Sequence, residues 1–473
     1  MPLTQKVNLA VFGDDSQALA ARTALFTFAM RVLAAALAFG LQVLFARMMG
    51  AYEFGVYAVV WVWVLVLATF SGLGYSTGLL RFVPELLGQQ RFAELRMVIW
   101  RGPLVSVGLC TVLALAAIAF ILSFPHLVYS AYVIPVVLGA ICLPMLTLVD
   151  SQEGIAQSFG WADLVTVPTF VVRPLVILMI FLGLSFSGVE PSAVLAMTAT
   201  VIGIWLVSVT QLFILRRRVI ARIGKGALEG KVVPWVKAAI PMVIVDGFFF
   251  LTLNTDIIIA SLFVSPDQVA IYFAAGKTLA LVHFVFYAIR VATSHKIAQF
   301  HASGDRAALE RTLANTLHWT FWPSLAIGLI LLVEGRLILS IFGEDFENGL
   351  PYLAILLVGT VIRASVGPAQ MMLTMAGAQK TAARLYGLVF LINAALNFAL
   401  IPSMGLTGAA IATATAMATE AVLLVLAVRR HLGVTSFIGL VRRLDNAAPQ
   451  DSEPQHISQE PKQAAEPAAG AAK

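Results

Sequence analysis

The feature that most constrains the fold is a succession of apolar runs of about 20 residues, the length of helix that spans a bilayer core. The sequence is 60% hydrophobic and only 12% charged, whereas soluble domains are closer to half apolar and a quarter charged. We therefore predict an all-α membrane protein with about twelve transmembrane helices. The predicted spans are 22–48, 56–80, 98–120, 132–150, 164–184, 192–214, 238–263, 270–292, 317–339, 352–375, 385–402 and 407–428.

A weak internal repeat indicates how these helices are grouped. Residues 47–57 match residues 262–272 at an offset of about 215, with Tyr57 aligned to Tyr272, and the register continues without a gap. Repeats of this kind are typical of transporters built from two similar bundles. We predict two pseudo-symmetric six-helix bundles. The predicted domains are residues 1–220 (N-terminal bundle), 221–234 (basic cytoplasmic linker), 235–431 (C-terminal bundle) and 432–473 (cytoplasmic tail, disordered from about 445).

The distribution of basic residues predicts the orientation in the membrane. Lys and Arg cluster in alternate loops, and the intervening loops are short and neutral or acidic. Because cytoplasmic loops carry an excess of Lys and Arg, this pattern places both termini in the cytoplasm and a multi-pass protein in the cytoplasmic (inner) membrane. The net charge of +6 therefore reflects topology, and we predict no nucleic-acid partner. Arg47 and Arg336 fall in loops of the opposite side and are the two exceptions.

No pattern in the chain indicates an enzyme, a metal site or a cofactor. Cys110 and Cys142 both fall within predicted spans, where cysteine acts as a small packing residue rather than a disulfide partner. The glycine- and lysine-containing segment 224–231 fails the spacing of a phosphate-binding loop. We expect a protein that is not an enzyme, with no catalytic residues, no metal and no cofactor.

Ionisable residues inside the spans are the candidates for function, because each costs roughly 2.5–3.5 kcal/mol at the centre of a membrane helix. Arg31 shares a helical stripe with Gln42, and Arg363 shares another with Gln370. Such stripes would line a water-filled cavity, and fixed guanidinium groups there would favour an anionic cargo. The predicted substrate-binding residues are Arg31, Arg173, Arg290, Arg363, Gln42 and Gln370.

A second set of interior residues is assigned to coupling or gating. Its members are Asp246, Asp256 and Asn254. The offset of the repeat aligns Asp246 with Arg31, so we predict that these two side chains face each other across a central cleft and pair in at least one state. The alternative is that each contacts a neighbour within its own bundle. Glu420 lies near the end of a predicted span, where its side chain could reach the membrane interface.

Three groups of motifs follow one another along the chain. Met-Gly-Ala-Tyr-Glu-Phe-Gly-Val-Tyr occupies 49–57, with Gly-Leu-Gly at 72–74; Asp-Ile-Ile-Ile at 256–259 precedes Val-Ala-Ile-Tyr at 269–272; Asn-Phe-Ala-Leu-Ile-Pro at 397–402 precedes Gly-Ala-Ala-Ile-Ala-Thr at 408–413. Together they resemble the polysaccharide (oligosaccharide) flippase branch of the multidrug/oligosaccharidyl-lipid/polysaccharide exporter superfamily. The resemblance implies two six-helix lobes, an inward-open/outward-open cycle and a polyprenyl-diphosphate-linked glycan as substrate. This chain matches the twelve-helix form and lacks the extra helix pair of lipid II flippases.

These observations favour an alternating-access flippase that moves polyprenyl-diphosphate-linked oligosaccharide from the inner to the outer leaflet of the cytoplasmic membrane for surface polysaccharide biosynthesis. Fixed arginines would lower the barrier that hydrocarbon presents to a diphosphate. The alternatives are a multidrug exporter of the same fold and a non-transporting membrane scaffold for glycan assembly. The expected partners are lipid-linked oligosaccharide, membrane lipids, and a glycan polymerase or glycosyltransferase.

Overall fold

The computed structural model describes residues 16–124, 126, 129–303, 305–375, 378–434 and 436–439. Within these ranges the chain forms helices joined by short turns, and none of it forms a β-strand. The N-terminal half contains α1 (Ser16–Ser71), α2 (Tyr75–Gly88), α3 (Phe92–Ser123), α4 (Ser130–Ser158), α5 (Ala162–Val167), a π-helical turn (Pro168–Val172), α6 (Arg173–Phe186) and α7 (Ala193–Ile223). The C-terminal half contains α8 (Val233–Thr252), α9 (Thr255–Phe263), α10 (Pro266–Thr278), α11 (Ala280–Ser303), α12 (Arg306–Val333), α13 (Gly335–Ser340), a 3-10 turn (Glu344–Gly349), α14 (Leu350–Ala364), α15 (Ala369–Met375), α16 (Gln379–Met404) and α17 (Leu406–Leu432).

Helix α1 consists of two antiparallel arms rather than one rod. Gly50 interrupts its helical geometry with a φ of +79°, and the rings of Phe45 and Tyr57 lie 5.1 Å apart across the turn. A straight helix would separate these two residues by roughly 18 Å, so the chain reverses direction at Gly50. Glycine fits this position because a positive φ strains residues that carry a Cβ atom.

The apolar surface of the helices agrees with a membrane environment. Among the described residues, ten stretches are long and apolar enough to cross a membrane. The first of them, Ala29–Gly88, includes both arms of α1 and therefore more than one crossing. On α3, Leu104, Val112 and Leu115 are 62%, 62% and 61% exposed, which is unusual for a soluble monomer. The protein is an all-α membrane protein; the count of twelve spans, the domain boundaries and the orientation of the termini remain predictions.

Three helical spans of the C-terminal half are interrupted. Residues 253–254 separate α8 from α9, Leu279 separates α10 from α11, and residues 365–368 separate α14 from α15. The sequence predicts one continuous span at each place, and the structure corrects these three predictions. Hydropathy does not register the interruptions because the residues on both sides are apolar. Irregular backbone at membrane depth is tolerated only where protein or a polar cavity surrounds it.

The turns between the helices collect at two opposite ends of the molecule. We call one the neutral end (turns near residues 50, 129, 191, 265, 341 and 405), where Gly55 contacts Pro266. We call the other the basic end (turns near 90, 160, 224–232 and 433), where Arg96 donates hydrogen bonds to the carbonyls of Ile223 and Ala227. An up-and-down path of this kind would place the basic loops at one end, as the alternation of charge in the sequence predicts.

The two halves pack against each other at the neutral end. A single buried apolar cluster contains residues of both halves, and within it the rings of Phe54 and Phe273 lie 5.9 Å apart. Arg47 crosses from the N-terminal half and donates two hydrogen bonds of 2.7 Å to the carbonyls of Ser340 and Ile341. These contacts explain one of the two exceptions in the charge pattern, because this guanidinium bonds to protein carbonyls. They also close the neutral end between the halves.

Candidate functional site

An internal cavity of about 110 Å³ lies in the C-terminal half, where the three interrupted spans meet. Thr252 and Asp256 flank the first interruption, Leu279 forms the second, and Arg363 precedes the third. Residues of α16 and α17 complete the wall, Glu420 among them. In transporters, discontinuous helices commonly surround the sites for substrates and coupling ions. The geometry of the backbone therefore marks this cavity as a candidate site.

Arg363 and Glu420 form an ion pair on the cavity wall. Nε of Arg363 donates to Oε1 of Glu420 at 3.0 Å, and the two side chains are only 19% and 6% exposed. The guanidinium also lies 5.9 Å from the centroid of the Phe286 ring. Each charge compensates the other, which permits both inside a membrane protein. The prediction that Glu420 reaches towards the interface is wrong, because its basic partner lies in the interior.

Asp256 begins α9 and links three helices through its carboxylate. The Tyr272 hydroxyl on α10 donates to Oδ2 at 2.7 Å, and the Thr413 hydroxyl on α17 donates to the same oxygen at 3.2 Å. The backbone N–H of Ile257 donates to Oδ1 at 2.9 Å. Asp256 is 7% exposed, so these donors replace the water that an ionised carboxylate requires. A change in its charge would therefore disturb the contacts among α9, α10 and α17.

Amide side chains support the first interruption. Asn254 donates from Nδ2 to the carbonyl of Phe250 at 2.9 Å, and Asn393 on α16 donates to the carbonyl of Thr252 at 3.1 Å. Both carbonyls belong to the last turn of α8, where the helix itself supplies no following N–H groups. Asn397 in turn donates to Oδ1 of Asn393 at 2.7 Å. Hydrogen bonds from two spans thus stabilise the non-helical backbone of the first interruption.

A second charged cluster lies in the N-terminal half, around the π-helical turn between α5 and α6. Thr169 in this turn donates a hydrogen bond to the Glu153 carboxylate on α4. The guanidinium of Arg31 lies 5.4 Å from the centroid of the Phe170 ring in the same turn. Arg173 begins α6 directly after the same turn. Turns of the π type are frequent at functional sites.

The structure divides the predicted site residues between these two places. Arg31 and Arg173 belong to the N-terminal cluster, and Arg363 and Asp256 line the C-terminal cavity. Asn254 lies at the first interruption. Interior arginines are therefore present in both halves, and in the C-terminal half Arg363 is paired with the Glu420 carboxylate.

The remaining predicted residues have other positions. Gln42 is half-buried on the first arm of α1, and its buried side-chain carbonyl oxygen has no hydrogen-bond partner among the described residues. Gln370 is half-buried on α15. The side chains of Asp246 and Arg290 lie outside the part of the chain that the structure describes. The pairing of Arg31 with Asp246 therefore remains a prediction.

Glu153 and Tyr272 are site residues that the sequence interpretation does not include among the substrate-binding or coupling residues. The predicted span ends at residue 150, but α4 continues to Ser158 and brings Glu153 into the cluster. A signal for this extension exists, because residues 151–157 (Ser-Gln-Glu-Gly-Ile-Ala-Gln) contain no proline and keep small and apolar side chains at helical spacing. For Tyr272 the sequence offers two signals, its match to Tyr57 in the repeat and its place on a helical stripe with Gly276, His283 and Arg290.

Comparison with known proteins identifies relatives of the chain. The family described as "Polysaccharide biosynthesis protein" matches residues 20–294, which is more than half of the chain, and the MatE family matches residues 241–399. The probable low-salt glycan biosynthesis flippase Agl15 of Haloferax volcanii is 26% identical over 188 residues. That alignment spans 38% of this chain and 38% of Agl15.

Solved structures agree with the family at the level of the fold. The lipid II flippase MurJ in an inward closed conformation has a TM-score of 0.69 at 16% identity, covering 86% of this chain and 87% of that one. An inward-facing multidrug resistance MATE family transporter has a TM-score of 0.67 at 14% identity, covering 85% and 94%. The matching proteins are flippases and transporters. The prediction that this protein is not an enzyme is therefore confirmed. The chain therefore belongs to the polysaccharide biosynthesis protein family, among the flippases and transporters of the multidrug/oligosaccharidyl-lipid/polysaccharide exporter superfamily.

Proposed function

We propose that the protein is an alternating-access flippase that moves a polyprenyl-diphosphate-linked oligosaccharide from the inner to the outer leaflet of the cytoplasmic membrane. It would serve the synthesis of a surface polysaccharide such as lipopolysaccharide or exopolysaccharide, between the glycosyltransferases that build the oligosaccharide and a polymerase that extends it. Membership of the family and the name of the Haloferax relative support this substrate class. The observation that carries the proposal is the presence of interior arginines in both halves.

Arginine is suited to a diphosphate cargo. Its guanidinium remains charged and donates to two oxygens at once. Arg363 is paired with Glu420, and Arg173 directly follows the turn in which Thr169 donates to Glu153. A diphosphate offers more charge and more acceptor oxygens than one carboxylate, so it can take the place of either. The carboxylates then keep the arginines charge-balanced and correctly placed when no cargo is bound.

The packing of the two halves supports a rocking mechanism. Arg47 and the contact of Phe54 with Phe273 close the neutral end. The charge pattern predicts that this end faces outward. At the basic end, Trp235 of α8 also packs against Phe82 of α2, with ring centroids 4.8 Å apart. Alternating access would therefore require the contacts at each end to separate in turn as one half rotates against the other.

Asp256 is the proposed coupling residue. A proton or a cation at its carboxylate would weaken the bonds from Tyr272 and Thr413, and this would shift α9 relative to α10 and α17. Asn254, at the adjoining interruption, would carry the movement into α8. Asp246 remains a further candidate for gating through the predicted pairing with Arg31.

A multidrug exporter of the same fold is the second candidate. The match of MatE to residues 241–399 favours it, as do the carboxylates of Asp256 and Glu420 in the cavity. A cationic drug would bind these carboxylates and would be repelled by Arg363. The two functions therefore predict opposite responses to the removal of this arginine.

Reconstitution into liposomes tests the proposal. The probe is a fluorescent, short-chain polyprenyl-diphosphate oligosaccharide, and its appearance in the second leaflet is measured with a membrane-impermeant quencher. We expect Arg363→Ala to slow this transfer by about tenfold or more, the effect of about 1.4 kcal/mol. Arg384→Ala, which changes an exposed arginine near the start of α16, is the matched control and should transfer at the rate of the unmodified protein.

The same liposomes distinguish the alternative. Transfer of the glycan probe by Arg363→Ala at the unmodified rate would contradict the proposed role of the arginine. Faster uptake of a cationic dye by this variant, with no transfer of the glycan probe by the unmodified protein, would establish the multidrug exporter instead.

A further inference from the structure

The chain does not leave the protein when α17 ends at Leu432. We call residues 433–434 and 436–439 the C-terminal segment. Arg306 at the start of α12 donates to the carbonyl of Gly433 at 2.7 Å. Val434 is 3% exposed, and Ser436 is fully buried. The segment is therefore packed into the C-terminal half.

The C-terminal segment supplies hydrogen bonds to the interruption between α14 and α15. The Ser436 hydroxyl donates to the carbonyl of Val366 at 2.6 Å, and the N–H of Ile438 donates to the carbonyl of Ser365 at 3.0 Å. In a continuous helix these carbonyls would accept from N–H groups four residues further on. The interruption removes those partners, and a carbonyl left unpaired inside a membrane protein is costly. Two donors from the C-terminal segment replace them.

The same turn fixes the position of the Arg363 backbone. The N–H of Val366 donates to the carbonyl of Arg363 at 3.3 Å, so Arg363 is the first residue of the turn that the C-terminal segment secures. Gly367 follows with a φ of +57°, and its position leaves no room for a Cβ atom beside Leu317. The backbone that carries the guanidinium is thus held from one side by α12 and from the other by the C-terminal segment.

We propose that the C-terminal segment is a positioning element for Arg363, and that Ser436 is its principal positioning residue. By completing the hydrogen bonds of the interrupted span, it holds the guanidinium towards Glu420 and the cavity. The inference rests on the proposed function only where Arg363 is said to bind the cargo. The other claim, that the C-terminal segment stabilises the backbone of the interruption, is the mechanical part of the proposal, and it is measured without any ligand.

Hydrogen–deuterium exchange tests the mechanical part. Two truncated proteins are compared with the full chain: one ends after Gly439, and the other ends after Gly433 and so lacks most of the C-terminal segment. We expect the amides of residues 364–370 to exchange about tenfold faster in the shorter protein and at the original rate in the longer one. Unchanged exchange in the shorter protein would overturn the proposal.

A binding measurement tests the role of Ser436 in the full-length chain. The probe is farnesyl diphosphate, titrated calorimetrically into the detergent-solubilised protein. We expect Ser436→Ala to weaken binding about fivefold, the effect of one lost buried hydrogen bond. Ser403→Ala is the matched control, because Ser403 also donates to a backbone carbonyl but lies exposed at the end of α16.

The Arg363→Ala background separates positioning from general weakening of the fold. In that background Ser436→Ala should cause no further loss of affinity, because the residue it positions is absent. An equal further loss would show that Ser436 acts independently of Arg363 and would overturn the assignment. If the unmodified protein does not bind farnesyl diphosphate, the proposed cargo is wrong, and the exchange measurement still decides the mechanical part.

Discussion

Replacing Glu420 with Gln is expected to weaken the fold and to strengthen binding of a diphosphate. The Arg363–Glu420 pair is separated by 3.0 Å, and its side chains are 19% and 6% exposed. At an effective dielectric constant of about 20, opposite charges about 4 Å apart attract by about 4 kcal/mol. Loss of one partner from a buried pair costs about 3–5 kcal/mol, because the other charge stays buried without compensation. Gln retains an acceptor oxygen, so we expect the lower end of this range.

An exposed pair in the same half provides the control. Arg306 and Glu310 are 3.1 Å apart, close to the distance in the buried pair, but their side chains are 66% and 45% exposed. Exposed pairs contribute about 0–1 kcal/mol. The midpoint of thermal unfolding in one detergent should therefore fall by several degrees for Glu420→Gln and hardly change for Glu310→Gln. The two pairs have nearly the same Nε–Oε1 distance, and they differ in burial and in whether they join two helices or two turns of one helix.

The binding of farnesyl diphosphate completes this test. Under the proposed function Glu420 competes with the ligand for Arg363, so its neutralisation should raise the affinity even though the fold becomes less stable. Loss of stability and gain of affinity together are not expected from a variant that is merely damaged. Equal unfolding midpoints for the two Gln variants would refute the energetic argument, and weaker diphosphate binding by Glu420→Gln would refute the competition.

Three further predictions concern the ends of the molecule. Arg47→Ala should expose cysteines introduced at the neutral end to a maleimide, since it removes two hydrogen bonds worth together about 1 kcal/mol at an exposed position; unchanged labelling would argue against a closing role. Gly55→Ala should prevent recovery of monodisperse protein, because its Cβ atom would lie 1.8 Å from the carbonyl oxygen of Pro266, whereas Gly40→Ala has open space and should be tolerated. Single cysteines at Gly224 and Pro266 should react with an impermeant reagent from opposite sides of the membrane, and reaction from one side would contradict the predicted topology.

The helical segments could be predicted from sequence because lipid leaves the backbone few choices. Every N–H and C=O group in hydrocarbon must find a partner within the protein, so a long apolar run becomes a helix. The reversal at Gly50 could be located in the same way. Two apolar runs on either side of a short glycine-containing segment are together too long for one crossing, and the glycine permits the positive φ that the structure contains.

The partners of the site residues could not be predicted in this way. Helical periodicity places Arg363 on a polar stripe of its own helix, but Glu420 lies on a different helix and 57 residues away in sequence. Which side chains meet depends on how α14 and α17 pack, and neither hydropathy nor spacing contains that information. For the same reason the donors to Asp256 emerge only from the structure, since they come from three separate helices.

The charged sites of both halves lie next to irregular turns, where regular helical hydrogen bonding is interrupted. Arg173 directly follows a π-helical turn, and Arg363 directly precedes an interruption. Irregular turns have fewer or strained backbone hydrogen bonds and rearrange more readily than continuous helix. The contacts at the neutral end, by contrast, come from buried rings such as Phe54 and Phe273. A cargo that displaces a carboxylate from its arginine would therefore first move the irregular backbone beside that arginine. The continuous helices that join these turns to the neutral end would then transmit the displacement. Under the proposed function, this arrangement would let a local exchange of ionic partners bias the position of one half against the other without disrupting the apolar core.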